Sequence, residues 1–186
     1  MKTDAQLVKL SLEDDKYFGE LGDRYEAKLT RYVFRLTSVD TQTAEDILQE
    51  VFIKVYKNLN DYDDQFSFSS WIYRITHNEA ISYVRKMKSR PQIAEKTDDM
   101  DEEYINLVPD DTDVPEELAR KELAGKIKEA VYELPEKYRE VLILRFLEDK
   151  SYTEISDILK KSINSVTVQV NRAKDKLKKQ LKSLNI

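Results

Sequence analysis

Apolar residues recur at helical spacing through two long stretches in the first half of the chain. The first stretch lies between Tyr17 and Leu36, and its apolar positions are Phe18, Leu21, Tyr25, Leu29, Tyr32, Val33 and Leu36. The second lies between Ala44 and Leu59, and its positions are Ile47, Leu48, Val51, Phe52, Val55, Tyr56 and Leu59. Intervals of three and four place these residues along one face of a helix. The pattern predicts two amphipathic helices, with Thr43 and Asp46 as the N-terminal cap of the second.

The same spacing returns near the end of the chain. A helix is predicted over 116–133, with its apolar positions inward at Leu118, Leu123, Ile127 and Val131. Pro135 then opens a further helix as its first residue, and the apolar pattern carries that helix to about Leu147.

A short helix, a tight turn and a long helix are predicted to follow. Ser151 and Glu154 have capping-box spacing, which starts a short helix that ends at Leu159. Residues 160–162 form the turn, and Ser162 caps a last helix through Leu181. The inward positions of that helix are Val166, Val170, Ala173, Leu177 and Leu181. A helix-turn-helix of this form places its second helix in the major groove of DNA, although many helical hairpins share the spacing.

Composition supports an all-α protein with two domains. Of 186 residues only 3 are glycine and 4 are proline, the two residue types that helices tolerate least. Three of the prolines and a run of acidic residues lie in a middle segment without helical periodicity. We therefore predict two small helical domains, 1–88 and 117–186, joined by an acidic extended linker, 89–116.

The overall charge of −5 conceals a strong asymmetry. Residues 89–115 carry 2 basic and 9 acidic side chains, whereas residues 116–186 carry 16 basic and 12 acidic ones. Many of the basic residues cluster in the last predicted helix, at Arg172, Lys174, Lys176, Lys178, Lys179 and Lys182. Positive charge beside a groove-reading helix neutralises phosphates, but lysines near a helix C-terminus also simply favour the helix dipole.

Several classes of function are disfavoured by the residues that are missing. Without cysteine the chain has no disulfide and no thiolate zinc site. A di-metal carboxylate bundle needs Glu-x-x-His pairs, and Arg74 stands three residues before His77, the only histidine. There is neither a phosphate-binding glycine loop nor a nucleophile motif. We expect no enzymatic activity, no cofactor and no metal, and we expect His77 to be a polar surface residue.

Two segments, in order, resemble the extracytoplasmic-function sigma factors of the sigma-70 family. The segment Glu133–Leu159, with Arg172-Ala173 beyond it, is similar to the family's region 4. The segment Ala44–Leu59 is similar to region 2 and contains that region's Asp-x-x-Gln-Glu core. The resemblance covers roughly residues 15–88 and 117–182. It implies a promoter-specificity subunit that binds core RNA polymerase and directs initiation at −35/−10 promoters.

By this resemblance, the region 2-like helix docks on the β′ clamp helices of the polymerase. The residues implied are Asp46, Gln49, Glu50 and Ile53, which share one helical face away from most of the apolar stripe. An alternative is that Asp46 only serves the helix N-terminus while Glu50 pairs with Lys54, four residues on.

The following segment resembles the part of the family that recognises and melts the −10 element. Aromatic and basic side chains there suit the capture of unstacked bases, and the implied residues are Phe66, Phe68, Trp71, Tyr73, Arg74, Asn78, Arg85, Lys86 and Lys88. Trp71 is expected to be mainly structural, because Trp71, Ile72 and Ile75 also have core spacing.

The last helix is implied to read the −35 element. The residues assigned to that role are Ser165, Thr167, Gln169, Asn171, Arg172 and Lys174. The family usually carries basic residues where this chain has the uncharged stretch Thr167–Gln169, and glycine where it has Lys160. In the last helix of region 2, the family also usually has an acid at the position of Ser82. These departures bear on which bases the helix reads.

The implied partners are core RNA polymerase, through its β′ clamp helices and β flap, promoter DNA and an anti-sigma factor. No apolar run is long enough to span a bilayer and Met1–Asp4 does not begin a signal peptide, so a cytoplasmic location without membrane insertion is expected. The acidic run Asp98–Glu103 either mimics RNA in a basic channel of the polymerase or is only a tether. A rival interpretation is a helix-turn-helix DNA-binding regulator that acts without polymerase docking.

Overall fold

The computed structural model describes residues 2–89 and 114–183. Most of the predicted linker, including Asp98–Glu103, lies outside these ranges, and so the limits of the two predicted domains stay predictions. Backbone contacts divide the chain into two compact units, which contain residues 1–101 and most of residues 102–186, respectively.

The described residues form eight α-helices and no strand, which confirms the all-α fold. The helices are α1 (Asp4–Ser11), α2 (Lys16–Thr37), α3 (Thr41–Lys57), α4 (Phe68–Lys88), α5 (Val114–Glu133), α6 (Glu136–Leu142), α7 (Tyr152–Leu159) and α8 (Ile163–Ser183). A 3₁₀ turn follows α3 at Leu59–Asp61, and a π-helical turn continues α6 at Ile143–Leu147. Within the described ranges, no helix has the length and apolar character needed to cross a membrane.

In the first unit, α2, α3 and α4 pack against one another around an apolar core. Most of the side chains that meet there come from the stripes the spacing predicts, among them Leu21, Leu29, Tyr32, Val33, Ile47, Val51 and Val55. Phe68 and Ile72 of α4 join them, and all of these residues are fully or nearly fully buried. Burial of each such side chain stabilises the fold by about 1.5–3 kcal/mol relative to exposure. The core therefore fixes which faces of α3 and α4 remain in solvent.

The N-terminal cap of α3 is Asp40 rather than Thr43. The Asp40 carboxylate accepts a hydrogen bond from the backbone N–H of Thr43 at 2.8 Å and another from its hydroxyl at 3.0 Å. The first of these bonds is the main reason that the pKa of Asp40 lies below its usual value. A carboxylate reaches the third N–H of a helix from the cap position, so the helix begins at Thr41 and Asp46 lies in its second turn.

Helix α1 is an element that the apolar spacing does not predict. It begins with a capping box in which Thr3 and Gln6 exchange hydrogen bonds. It packs on α2, where Asp4 binds Arg24 and accepts a hydrogen bond from the Tyr25 hydroxyl. The capping-box spacing of Thr3 and Gln6 is the signal in the sequence that could have indicated it.

The expectation that His77 lies on the surface is wrong. Its ring is buried in the first unit, where Nδ1 lies 2.9 Å from the hydroxyl oxygen of Tyr32. The two rings are stacked with centroids 6.4 Å apart. A buried polar group is stable when it finds a hydrogen-bond partner, and α2 supplies one here.

In the second unit, α6 packs along α8, and the C-terminal part of α5 packs on both. Ala130 and Leu134 are buried at that end of α5, whereas Leu123 and Ile127 are exposed. The prediction that Leu123 and Ile127 face inward is therefore wrong, and Leu118 lies outside the described side chains. Pro135 caps α6 rather than opening it, since α6 begins at Glu136.

The predicted helix-turn-helix is present as α7, a three-residue turn and α8. Ser151 and Glu154 form the capping box, with the Ser151 N–H donating to the Glu154 carboxylate at 2.9 Å and the Glu154 N–H donating to the Ser151 hydroxyl at 3.2 Å. Ser162 caps α8 by accepting the N–H of Ser165 at 3.2 Å. In the turn, the Lys161 N–H donates to the Ser156 carbonyl oxygen at 3.1 Å, which places Lys160 in the left-handed region with φ of 53°.

Replacing Lys160 with glycine is expected to stabilise the second unit by about 1 kcal/mol, because a Cβ is disfavoured at positive φ. Thermal unfolding followed by circular dichroism should show a rise of about 4–8 °C in the midpoint of this unit. Asp149, which has φ of 49°, provides the matched control. Asp149→Gly should gain less, since aspartate tolerates this conformation better than lysine. An unchanged or lower midpoint for Lys160→Gly would contradict the expectation.

Candidate functional site

One face of α3 presents a polar patch with an exposed isoleucine at its edge. Asp46, Gln49 and Glu50 are exposed, and Ile53 remains 46% exposed. These residues are three or four positions apart, so they lie on the side of α3 opposite its buried positions. We call them the α3 patch. An exposed aliphatic side chain among fixed polar groups is the composition of a protein-binding surface.

The alternative interpretation, in which Asp46 serves the helix N-terminus and Glu50 pairs with Lys54, does not account for the α3 patch. Asp40, not Asp46, caps the helix, and Asp46 accepts a hydrogen bond from the Gln42 side chain at 3.3 Å. Lys54 forms an ion pair with Glu79 of α4. The cap of α3 is thus provided by Asp40, and the Lys54 ammonium with which Glu50 could pair is engaged by Glu79.

The predicted aromatic cluster of the −10 segment divides into buried and exposed members. Phe68, Trp71 and Tyr73 are buried, and the rings of Phe68 and Trp71 lie 5.7 Å apart and each 5.5 Å from the ring of Tyr62. In this conformation, then, Phe68 and Tyr73 cannot offer a free ring face to a base, contrary to the expectation for them. Trp71 has the structural place that its core spacing indicates.

Phe66 is the aromatic residue of this cluster that stays on the surface, with 47% of it exposed. It lies in the loop before α4, where its backbone carbonyl accepts a hydrogen bond from the Tyr62 hydroxyl at 2.7 Å. Ser67 then caps α4 by accepting the N–H of Ser70 at 3.0 Å. The loop is thus held at both sides of Phe66 while the ring remains accessible.

A polar and basic stripe runs along α4. Arg74, Asn78 and Arg85 are four and seven positions apart, so they share one side of the helix; Asn78 and Arg85 are exposed and Arg74 is partly exposed. We call these three residues the α4 stripe. Lys86 is exposed nearby, and the side chain of Lys88 lies outside the described residues.

The residues predicted to read DNA all lie on α8 with some exposure. Asn171, Arg172 and Lys174 are exposed, whereas Ser165, Thr167 and Gln169 are partly buried. Val166, Val170 and Ala173 are fully buried on the opposite side, as their spacing predicts. Lys174 also lies over the ring of Phe146, with its Nζ 6.0 Å from the centroid.

A partly buried ion pair connects the turn of the helix-turn-helix to α6. Lys161 binds Glu140, whose side chain is almost completely buried. The same Nζ lies 3.4 Å from the side-chain oxygen of Gln169. The pair therefore ties the turn that precedes α8 to α6.

Two residues of α8 that sequence reasoning missed, Ile163 and Val168, are large, apolar and exposed. Val168 lies on the side of α8 opposite Val166 and Val170, so the spacing contained the signal for it, whereas Ile163, three and seven positions before them, shares their side and is exposed at the first position of the helix. The sequence prediction named only the inward apolar positions of this helix. No group of three or more metal-binding side chains lies in the described parts of the chain.

Comparisons with known proteins place these surfaces in a family context. The family model described as Sigma-70 region 2 matches residues 21–90, and the model described as Sigma-70, region 4 matches residues 124–177. A protein from Bacillus subtilis, the ECF RNA polymerase sigma factor SigW, is 31% identical over 99% of this chain and 99% of its own length.

Solved structures share the fold at lower sequence identity. CnrH, solved in complex with the cytosolic domain of CnrY, has a TM-score of 0.71 and 21% identity, over 98% of this chain and 99% of that chain. RpoE from Bartonella quintana, solved with the anti-sigma factor NepR, has a TM-score of 0.65 and 22% identity, over 90% of this chain and 98% of that chain.

Proposed function

This chain belongs to the extracytoplasmic-function sigma factors of the sigma-70 family, and on that basis we propose how its described surfaces direct transcription initiation. As a sigma factor it is the promoter-specificity subunit that binds core RNA polymerase and directs initiation. The observation that carries the proposal is the pairing, on one chain, of the exposed α3 patch with a complete helix-turn-helix.

The α3 patch is proposed to dock on the β′ clamp helices of the core enzyme. Its polar side chains lie on a well-packed helix, so the backbone that carries them needs no further ordering when they bind. Ile53 supplies an apolar contact at the edge of the patch. A regulator that acts without polymerase has no need of such a face, and that rival interpretation is not favoured.

The α4 stripe and Phe66 are proposed to hold the −10 element. Arginine side chains at 74 and 85 suit the phosphate backbone, and Asn78 can donate to and accept from a base edge. The exposed ring of Phe66 can stack on a base that has left the duplex. Phe68, Trp71 and Tyr73 then act as the apolar support beneath this surface.

Helix α8 is proposed to enter the major groove at the −35 element. Arg172 and Lys174 are exposed and suit phosphate or guanine contacts, and the lysines beyond them extend the positive surface. The helix is held by the Glu140–Lys161 pair and by its buried stripe, so it can dock as a rigid body.

A further partner and a cellular location are also proposed for this chain. Because solved relatives of the same fold bind CnrY or NepR, we expect an anti-sigma partner here as well. The protein is proposed to act in the cytoplasm, where the polymerase works, and to bind rather than catalyse, with RNA synthesis left to the core enzyme.

The direct test is transcription with purified components. The protein is mixed with bacterial core polymerase and fragmented genomic DNA, and the 5′ ends of the transcripts are sequenced. We expect new start sites that share a −35 and a −10 sequence and that are absent when the protein is omitted. A stable complex with core enzyme should also appear in gel filtration. The absence of both the complex and the new start sites would overturn the proposed function.

A further inference from the structure

An apolar side chain, Val168, is exposed in the first half of α8. Val168 is 46% exposed on the side of the helix opposite Val166, Val170 and Ala173, which are fully buried. In a helix-turn-helix the N-terminal part of the second helix is the part that meets base edges in the groove. Val168 therefore lies on the part of the helix that would face the bases.

Thr167 and Gln169, the polar residues on either side of Val168 in the sequence, are already engaged within the protein. The Thr167 hydroxyl donates to the Ile163 carbonyl oxygen at 2.9 Å. The side-chain oxygen of Gln169 lies 3.4 Å from Lys161 Nζ, which in turn binds the buried Glu140. Both side chains therefore have fewer hydrogen-bonding groups left for base contacts. Val168 makes apolar contacts, which these hydrogen bonds do not reduce.

We propose that Val168 reads the C5-methyl group of thymine in the −35 element. The inference rests on the proposed function and adds the chemistry of the base that is read. In the major groove the thymine methyl is the apolar feature that distinguishes a T·A pair, and aliphatic side chains contact it.

Basic residues around Val168 supply the remaining affinity. Arg172, one turn further along α8, and Lys174 are exposed and can neutralise phosphates whatever the sequence. Affinity and base discrimination thus reside in different side chains of one helix. That separation allows the two contributions to be measured independently.

The test uses the full chain and a synthetic duplex that carries the −35 sequence found by transcript mapping. Each thymine is replaced in turn by uracil, which removes only the methyl group, and binding is followed by fluorescence anisotropy. For the wild-type protein at least one replacement should weaken binding about fourfold, the loss expected for one buried methyl-sized group. In Val168→Ala, the thymine and uracil duplexes should bind alike at that position.

Arg172→Ala serves as the comparison variant. It should weaken both duplexes equally, leave their ratio unchanged and reduce the salt dependence of binding. Val168 is exposed, so circular dichroism should show an intact fold in Val168→Ala.

The outcomes separate the inference from the function on which it rests. Equal binding of thymine and uracil duplexes by the wild type, or persistent discrimination in Val168→Ala, would overturn the inference while specific duplex binding and the Arg172→Ala effect remain. If no shared −35 sequence emerges and Arg172→Ala has no effect, the DNA-reading role of α8 fails, and the inference is overturned with it.

Discussion

A double variant of the α3 patch, Glu50→Arg with Ile53→Ala, is expected to bind core polymerase roughly 100-fold or more weakly. The substitution removes the apolar contact and reverses a charge in the same surface, and truncated or mismatched groups at the centre of an interface cost several kcal/mol. Fluorescence anisotropy of the labelled protein, titrated with core enzyme, measures the affinity. DNA contacts made by α8 should be unaffected.

The matched control for this variant is Glu26→Arg with Leu12→Ala. Leu12 is 48% exposed, close to the 46% of Ile53, and Glu26 is an exposed glutamate on α2. The control should bind core enzyme as the wild type does. Equal losses in both double variants would mean that overall charge matters and the α3 patch does not. An intact affinity in Glu50→Arg with Ile53→Ala would remove the patch as the docking surface.

Loss of the exposed aromatic ring at position 66 is expected to reduce the open promoter complex by about tenfold. Stacking of one base on an aromatic side chain contributes about 1–3 kcal/mol to the capture of unpaired strands. Phe66→Leu and Phe66→Ala should both show the loss, whereas Phe66→Tyr should retain nearly full melting. Fluorescence of 2-aminopurine placed in the −10 element reports the fraction of melted promoter.

Helicity and the affinity for core polymerase distinguish a loss of base stacking from a loss of folding. Because the ring is 47% exposed, none of the three substitutions should change helicity or the affinity for core polymerase. If Phe66→Leu melts promoters as well as Phe66→Tyr does, apolar volume is sufficient and stacking is not the role of this residue.

The long amphipathic helices could be predicted from the sequence because their signals are local. Helices α2 and α3 follow from apolar residues three and four apart, and the helix-turn-helix follows from the caps at Ser151 and Ser162. The same periodicity places Asp46, Gln49, Glu50 and Ile53 on one face. Caps and periodicity involve neighbours in the chain, so tertiary contacts seldom override them in long helices.

Other features could not be predicted because they depend on contacts between distant segments. His77 is buried because α2 brings Tyr32 to it across 45 positions of sequence. Leu123 and Ile127 are exposed, whereas Ala130 and Leu134, at the end of α5, are buried. A stripe of apolar residues indicates that one face of a helix can be buried. The packing of the neighbouring helices decides how much of that face is buried.

The all-α fold, the helix-turn-helix and the family could each be established before any coordinates, since they follow from local spacing or from motifs in order. Which of the candidate side chains are accessible to a partner could not be established in this way. Packing of α4 against α2 buries Phe68 and leaves Phe66 in solvent, and the Glu140–Lys161 pair engages Gln169 while Val168 stays exposed. Availability depends on which groups the rest of the chain covers or binds, and that is set by the packing of whole helices.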